Sequence, residues 1–470
     1  MNPTLQQDLK DIENILEKVK QQGIDFLNVI DEIPTSTQNT ISTNRNLSDS
    51  GLGAMSVLDE FNERLAPLMV SQAGPRYWGF VTGGATPASI VGDWLTTIYD
   101  ANAQATKAQG GVSALIEIET INLLLQLLDL PKSFLGGFVT GATMSNFTSL
   151  AVARQWFGKQ LGQDFAKNGI SAPLNILTAT PHSSSVKCLA MLGIGSQNFI
   201  KVKTVEGNRE AIDMNDLEQN IKSLNGQPFI LISSAGTVNS ADFDDFNAIA
   251  KLKEKYNFWW HIDAAFGGFA ACSPKYKHLV NGWGNADSIT IDCHKWLNVP
   301  YESAFYLVKE QHKNLQVETF QNSNAPYLGD PLENFSYLNF LPENSRRLKA
   351  LPVWFSLLAY GKQGFQDIVE NSVAMALQLD AFITNDESFE LLAPTRLNNV
   401  CFTLTGEHNQ EKVNLFLTQL NDNGKVFMTP TVYQNRKGIR ASFVNWRTNE
   451  NDIKIVIEEM KKIISTVVSQ

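Results

Sequence analysis

Cysteine and long apolar runs are both scarce in this sequence. Four cysteines are scattered through 470 residues, too far apart for a disulfide framework or a zinc cluster: Cys188, Cys272, Cys293 and Cys401. No apolar stretch is long enough to span a membrane, and the first eight residues, MNPTLQQD, lack the pattern of a signal peptide. These absences predict a cytoplasmic protein without a metal site.

Positive charge is scarce as well. The formal net charge is −10, which argues against an electrostatic surface for nucleic acid or anionic membranes. Hydrophobic residues make up 43% of the chain and charged residues 18%, a balance typical of globular rather than disordered proteins. At this length we expect two or three structural units around a sizeable core.

The first 86 residues are predicted to be mainly helical. Apolar residues recur every three or four positions over about 4–33 and again over 55–68, and the segment between them, 34–50, is rich in Thr, Ser and Asn. Helices joined by such a linker bury little core by themselves. We therefore expect residues 1–86 to pack against the partner subunit of a homodimer.

Residues 87–350 show a different pattern, in which short apolar strands alternate with helices. The predicted strands cover 137–140, 174–179, 229–234, 258–263 and 288–291. Continuous apolar strands separated by helices are typical of an α/β fold with a mostly parallel sheet and helices on both faces. We expect this large domain to bind a ligand at the carboxyl ends of its strands.

Residues 351–470 are predicted to form a smaller α+β domain. A long helical stretch, 353–384, leads into it. Three apolar segments read as its strands, with helices between and after them: 399–404, 426–428 and 439–444.

The stretch 289–300 (ITIDCHKWLNVP) places Lys295 in a turn just after a buried strand. Most lysines lie on the protein surface. In partly apolar surroundings, however, a lysine loses part of its preference for the charged form, and its amine can condense with a carbonyl group to form a Schiff base. Lys295 is therefore the first candidate for catalysis.

Asp263 also follows an apolar strand and precedes the small residues Ala264 and Ala265. A carboxylate at the end of a buried strand needs a cationic or strongly donating partner, because burying an unpaired charge is costly. A helix cap or a metal ligand is the alternative role, but no cluster of His, Asp or Cys has metal-ligand spacing here. The small neighbours leave room for a flat ring.

Three further candidates also follow strands. The motif 140–146 (TGATMSN), with Ala142 and Thr143, marks a strand-to-helix junction whose N–H groups could hold an anion, although most such turns are only caps. His182 could stack on a ring, and is otherwise a hydrogen-bonded structural residue. The Thr237 hydroxyl could donate to a ligand or cap a turn.

Taken together, these residues provide an amine, a carboxylate, an anion cradle and a flat imidazole at strand ends. Pyridoxal 5'-phosphate (PLP) requires this set, because its aldehyde needs Lys295, its phosphate needs the cradle, and its pyridine nitrogen needs Asp263 to stay protonated. His182 would stack on one face of the ring, and Ala265 leaves space on the other.

The sequence resembles the group II PLP-dependent decarboxylases, the family of aromatic-amino-acid, histidine and glutamate decarboxylases. The resemblance covers about 75–447 and depends on residues 261–268 (HIDAAFGG), 294–296 (HKW) and 445–448 (NWRT), and on the segment around His182. It implies a fold-type-I α/β enzyme that acts as a homodimer, with the active site near the subunit interface.

The resemblance also implies individual roles. Lys295 would be the Schiff-base lysine, Asp263 the partner of the pyridine nitrogen, and His182 the stacking residue. The family pattern places the remaining contacts, to the phosphate and in support of it, on Ala142, Thr143, Thr237 and His294.

Two departures from the family pattern bear on the chemistry. Asp292 stands where aromatic-amino-acid members have an Asn that contacts the phosphate, and a carboxylate there would repel a phosphate. In many members a tyrosine of a mobile loop returns a proton to the carbanion after CO2 leaves. Tyr327 and Tyr337 are the candidates here, and neither aligns cleanly with the family's position. If no tyrosine reaches the site, oxidative deamination to an aldehyde becomes possible, as in family members that resemble aldehyde synthases.

The resulting prediction is a PLP-dependent decarboxylase that converts an aromatic or acidic L-amino acid into its amine and CO2. Three alternatives stay open. The first two are oxidative deamination to an aldehyde and transaminase or desulfurase chemistry on the same cofactor. The third is a non-catalytic homologue that binds the cofactor or a partner without turnover. Arg76 could contact an acidic substrate or be structural, whereas Tyr77, Trp78 and Phe80 would suit an aromatic side chain.

Overall fold

The computed structural model describes residues 2–107, 110–321, 335–406 and 410–469. The strands are β1 (Phe134–Val139), β2 (Ile176–Thr178), β3 (Ile200–Lys201), β4 (Phe229–Ser234), β5 (Phe258–Asp263), β6 (Ser288–Asp292), β7 (Ala304–Lys309), β8 (Phe389–Leu391), β9 (Asn399–Leu404), β10 (Thr429–Tyr433) and β11 (Arg436–Ser442). The helices are α1 (Pro3–Lys10), α2 (Ile12–Asn28), α3 (Ala54–Arg64), α4 (Pro87–Tyr99), α5 (Ser113–Leu127), α6 (Ala142–Gln160), α7 (Phe165–Asn168), α8 (Ser183–Met191), α9 (Met214–Ser223), α10 (Phe246–Lys255), α11 (Lys313–Phe320), α12 (Ala350–Asn385), α13 (Gln410–Asp422) and α14 (Glu450–Ser469).

The larger sheet has the strand order β1-β7-β6-β5-β4-β2-β3. Strands β2 to β6 run parallel, whereas β7 lies antiparallel between β1 and β6. Neighbouring residues of β5 belong to different cores, since Trp260 packs in one apolar cluster and Trp259 in another. Because both faces of the strand are covered, its sequence is continuously apolar instead of alternating. The predicted α/β class is confirmed.

Several details of the larger and smaller sheets differ from the prediction. The antiparallel strand β7, the two-residue strand β3 and the short strand β8 were not predicted from the sequence. The prediction of a strand at 426–428 is wrong, because β10 begins only at Thr429. Phe427 instead forms an isolated bridge with Tyr77, and the two rings stack with centroids 4.7 Å apart.

The smaller sheet, with the order β10-β11-β9-β8, is antiparallel throughout. Helix α12 connects it to the larger sheet. Residues up to Val373 pack in the core of the larger sheet, and residues from Met375 onward pack in the core of the smaller one. The predicted domain boundary at 350/351 lies at the start of this helix, whose residues pack in both cores.

The N-terminal helices α1, α2 and α3 contain no buried residue. Their apolar stripe is exposed, and its members are Leu5, Leu9, Ile12, Leu16 and Val19. Packing of residues 1–86 on a partner subunit stays a prediction. None of the helices in the described parts of the chain combines the length and apolar character that crossing a bilayer requires.

Candidate active site

Lys295 lies in a tightly held turn just beyond β6. The Asn298 side chain spans this turn, donating to the carbonyls of Trp296 and Val444 at 2.7 and 3.0 Å. Behind the lysine, a Cβ at Gly83 would come within 1.7 Å of the Lys295 carbonyl oxygen, so only glycine fits there. The backbone is thus fixed, and Lys295 Nζ lies 2.8 Å from Asp292 Oδ2.

Asp263, at the end of β5, is nearly buried and held by neutral donors. Asn146 Nδ2 donates to its Oδ2 at 3.0 Å, Ser185 Oγ at 3.3 Å, and the Ala265 N–H donates to its Oδ1 at 3.2 Å. No cation forms an ion pair with Asp263 in the part of the chain that the structure describes. A buried carboxylate with this environment favours a cationic ligand beside it.

His261, two residues earlier, fixes the orientation of Asn146. Its Nε2 bonds to Asn146 Oδ1 at 2.8 Å and its Nδ1 to Ser288 Oγ at 2.9 Å. Burial lowers the pKa of His261 to about 4 despite the opposing charge of Asp263. The neutral ring therefore donates from Nε2, and the Asn146 amide group is left to face Asp263. Sequence patterns do not indicate this network, because its members come from α6, β5 and β6.

The pKa of His261 predicts an acid-sensitive fold. Its ordinary pKa is about 6.5, so between pH 6.5 and 4 the unfolded chain takes up a proton that the folded chain does not. Stability from this group is complete above pH 6.5 and is lost as pH falls, by about 3 kcal/mol at pH 4. We expect the free energy of unfolding of His261→Gln, measured by urea titration, to fall less than that of the wild type between pH 6.5 and 4.

His278 is exposed, so His278→Gln is the matched control and should keep the wild-type acid limb. Burial raises the pKa of Asp244 to about 7, but that group is present in all three proteins and cancels in the comparison. The prediction would be contradicted if the free energy of unfolding fell equally with pH in the wild type and in His261→Gln.

His182 caps the N-terminus of α8, where its Nδ1 accepts from the Ser184 N–H at 3.2 Å. Burial lowers its pKa, and the Asp263 charge opposes this shift. A neutral imidazole at this position can present its flat face to a ring. Stacking by His182 stays a prediction.

The predicted anion cradle lies at the start of α6, which begins at Ala142. A Cβ at Gly141 would lie 3.6 Å from His294 Cε1, so the helix N-terminus adjoins the lysine turn. Ser145 Oγ ties the first turn to β6 and β7 through bonds of 2.9 Å to Thr290 Oγ1 and the Phe305 carbonyl. Neither Ala142 nor Thr143 lines the cavity beside Lys295, and phosphate binding by them stays a prediction.

A cavity of about 450 Å3 joins the central residues. Five of the predicted site residues line it, namely His182, Thr237, Asp263, Ala265 and Lys295. The Thr237 hydroxyl donates to Glu210 Oε2 at 2.6 Å. The structure therefore brings together side chains that follow four different strands.

Sequence reasoning missed Glu210, Arg440 and Val81 in the cavity wall. Arg440 is almost buried, its Nη1 donates to the Val238 carbonyl at 3.0 Å, and its Nε has no partner among the described residues. Burial lowers the pKa of Arg440. A charged residue at an inward position of an apolar strand was the signal that could have revealed it.

Phe80 and Val81 line the cavity in an unusual backbone conformation. Their φ angles are 56° and 59°, in the left-handed region that L-residues and β-branched ones above all avoid. Such strain costs about 1–3 kcal/mol for each residue and is concentrated at functional sites. Of the predicted aromatic set, only Phe80 reaches the cavity, since Trp78 is buried in the core and Tyr77 packs on Phe427.

Two other predicted residues are not at the site. Tyr337 is buried, its hydroxyl donates to the Gly136 carbonyl at 3.3 Å, and its ring packs under the Arg346 guanidinium. This position corrects the prediction that Tyr337 donates a proton to substrate. Tyr327 lies outside the described residues. Arg76 is structural, since it binds Asp452 and the Lys425 carbonyl at 2.8 and 2.9 Å.

Comparison with known proteins gives consistent results. The chain is 27% identical to an aromatic-L-amino-acid decarboxylase of Bacillus atrophaeus over 96% of each protein. It is 24% identical to the 4-hydroxyphenylacetaldehyde synthase of Rhodiola rosea, over 87% of this chain and 86% of the relative. The structure of Oryza sativa TDC with PLP and tryptamine superposes with a TM-score of 0.88, at 21% identity, over 97% of this chain and 98% of that one.

The residues present fit PLP as the cofactor. Asp263 offers a buried carboxylate that has no cationic partner among the described residues, which matches a protonated pyridine nitrogen, and Lys295 offers an amine in the same cavity. In the described residues, no group of three or more His, Cys, Asp or Glu side chains is arranged to hold a metal ion.

The family model described as the pyridoxal-dependent decarboxylase conserved domain matches residues 37–405, most of the chain. This match, the lysine and aspartate at one cavity and the shared fold agree with one another. The chain belongs to the pyridoxal-dependent decarboxylase family, and it is a PLP-dependent carboxy-lyase that acts on amino acids.

Proposed function

We propose that this enzyme decarboxylates an aromatic L-amino acid to its amine. The observation that carries the proposal is the cavity wall of Phe80, Val81 and Phe266, which offers aromatic and apolar surface beside Lys295. Glu210 adds a carboxylate to the wall, and like charges repel, so an acidic side chain is disfavoured there. The name of the Bacillus relative supports the same substrate class.

We assign the side chains the following roles in this reaction. Bound PLP supplies an electron-withdrawing ring that stabilises negative charge at Cα when CO2 leaves. Asp263 would hold a proton on the ring nitrogen, and the neutral face of His182 would position the ring. Lys295 would provide the amine that attaches the cofactor. Arg440 is a buried cation whose Nε has no hydrogen-bond partner among the described residues, and we propose that it binds a carboxylate of the substrate.

We further propose a homodimer in a reducing compartment. On α4, Val91, Trp94 and Ile98 are each about half exposed and lie on one side of the helix, an apolar stripe suited to a subunit contact. All four cysteines are free, as expected in a reduced cytoplasm. Light scattering should give twice the chain mass of 52.2 kDa.

Oxidative deamination is the second candidate, favoured by two observations. One relative is named an aldehyde synthase, and Tyr337 is committed to the core instead of the cavity. In that reaction O2 accepts two electrons and one water is consumed, and the products are an aldehyde, CO2, ammonia and hydrogen peroxide.

The test is CO2 release from purified, PLP-loaded protein, with hydrogen peroxide measured in parallel. Phenylalanine, tyrosine and tryptophan should exceed glutamate and cysteine sulfinate in kcat/KM by at least about tenfold, because the acidic side chains meet Glu210. CO2 without peroxide supports the amine product, and equal amounts of CO2 and peroxide support the aldehyde. Preference for an acidic substrate would overturn the proposed substrate class.

A further inference from the structure

Glu210 reaches the wall of the active-site cavity from the loop between β3 and α9. Its N–H donates to Asp242 Oδ2 at 2.8 Å, and its carbonyl accepts from Thr180 Oγ1 at 2.6 Å. Arg209, one residue earlier, donates to both oxygens of the same Asp242 carboxylate, at 2.8 and 3.0 Å. The backbone at Glu210 is therefore fixed without the help of a ligand.

The Glu210 carboxylate is held through one of its two oxygens. Its Oε2 accepts from the hydroxyls of Thr237 and Ser240, each at 2.6 Å, and from the Ser240 N–H at 3.1 Å. Thr237 and Ser240 are themselves buried, so these donors are well fixed. Among the described residues, no group donates to Oε1 and no cation forms an ion pair with this carboxylate. One acceptor oxygen is thus left for a ligand.

Glu210 lies at the end of the cavity away from the lysine. Lys295 and Asp263 line only the cavity of about 450 Å3, whereas Glu210 also lines an adjoining cavity of about 590 Å3. Thr180 and Asn239 line both cavities as well, so the two spaces meet at these residues. A substrate side chain that starts beside Lys295 and follows the cavity therefore reaches Glu210 at its far end.

Arg440 lines the same cavity but does not neutralise Glu210. The two side chains form no ion pair, and Arg440 Nη1 donates instead to the Val238 carbonyl at 3.0 Å. The cavity thus offers a cation and a hydrogen-bond acceptor at separate points. A substrate with a carboxylate at one end and a hydrogen-bond donor at the other matches both. Tyrosine and tryptophan carry such a donor on the ring, as a phenolic O–H or an indole N–H, and phenylalanine carries none.

We propose that Glu210 is a specificity-determining residue whose Oε1 accepts a hydrogen bond from an O–H or N–H of the substrate's aromatic ring. The inference rests on the proposed aromatic substrate class. A ring with a donor gains a hydrogen bond to a carboxylate, whereas phenylalanine leaves the acceptor without a partner. The wild type should therefore favour tyrosine over phenylalanine, and tryptophan over 1-methyltryptophan, in kcat/KM by at least about tenfold.

Glu210→Gln tests the acceptor with little change of shape. The Ser240 N–H can only donate, so the amide oxygen of the glutamine takes the place of Oε2 and its NH2 group faces the cavity. A donor then replaces the acceptor, and the tyrosine-to-phenylalanine ratio of kcat/KM should fall at least about tenfold. Glu206→Gln changes an exposed residue of the same loop and is the matched control, which should keep the wild-type ratio.

Each ratio is taken within one preparation, so partial unfolding of a variant does not alter it. Binding to the PLP-loaded protein is measured separately by calorimetry. The two probes, 3-(4-hydroxyphenyl)propionate and 3-phenylpropionate, have no amine and are not turned over. The hydroxylated acid should bind the wild type at least about tenfold more tightly than the other acid, and this difference should disappear in Glu210→Gln.

Equal ratios in the wild type and Glu210→Gln, or no discrimination by the wild type, would overturn the inference and leave the aromatic substrate class intact. A preference for glutamate over every aromatic substrate would instead overturn the proposed substrate class. In that case the calorimetry still decides whether Glu210 recognises the ring donor.

Discussion

Replacing Lys295 with alanine is expected to abolish CO2 release together with the absorbance of lysine-bound cofactor. The loss in kcat/KM should be at least about 10³-fold, equivalent to about 4 kcal/mol of transition-state stabilisation. The reason is that Lys295 is the amine that faces the cavity beside Asp263, in a turn that no other lysine shares. Product CO2 and the visible spectrum are measured on the same preparation.

The alanine variant also leaves Asp292 buried without its cation, so part of its defect could come from folding. The double variant Lys295→Ala/Asp292→Asn removes both charges and should regain stability but not activity. Lys275→Ala, which removes an exposed lysine paired with Glu370, should keep activity and spectrum. CO2 release by the stable double variant near the wild-type rate would refute attachment through Lys295.

Replacing Arg346 with methionine should lower the free energy of unfolding by about 3–5 kcal/mol. Arg346 Nη2 lies 2.6 Å from Glu117 Oε1, and Glu117 is fully buried on α5. The same guanidinium donates to the carbonyls of Ala103 and Phe138 at 2.7 and 2.8 Å. Its removal leaves a buried carboxylate without its cation and two carbonyls without the guanidinium donor, so the cost is large.

Urea unfolding of three variants makes this prediction specific. The neighbouring Arg347 pairs with Asp93 on the surface, and Arg347→Met should change stability by no more than about 0.5 kcal/mol. The double variant Arg346→Met/Glu117→Leu should be more stable than Arg346→Met alone, because no buried charge is left unpaired. A single variant as stable as the wild type would show that the pair contributes little.

Five of the seven strands of the larger sheet could be located from their apolar runs. Strands β4 and β5 begin and end at the predicted residues, because a strand covered on both faces is a continuous apolar run that turns polar only at its end. The antiparallel strand β7 carries the same kind of sequence, and nothing in its residues reveals its direction. The short strands β3 and β8 are too brief to leave a periodic signal.

At the site, the sequence identified the residues that follow strands of the larger sheet. It did not identify the residues that reach the cavity from other segments of the chain. Lys295 and Asp263 stand in short motifs directly after apolar strands. Arg440 comes from the smaller sheet and Glu210 from a loop before α9, and each reaches the cavity only through packing of distant segments.

The sequence by itself determined the class of fold and the cofactor, and it singled out the lysine and the aspartate proposed to serve that cofactor, because these depend on local patterns and on side-chain chemistry. The tertiary structure decided the rest. Tyr337 lies outside the site, because its hydroxyl donates to a backbone carbonyl and its ring packs against Arg346 in the core. Asp292, a doubtful phosphate neighbour in the sequence, became the counter-ion of Lys295, because a turn of three residues brings their side chains to 2.8 Å. Such distances between side chains depend on how the backbone is folded and are not encoded in periodicity.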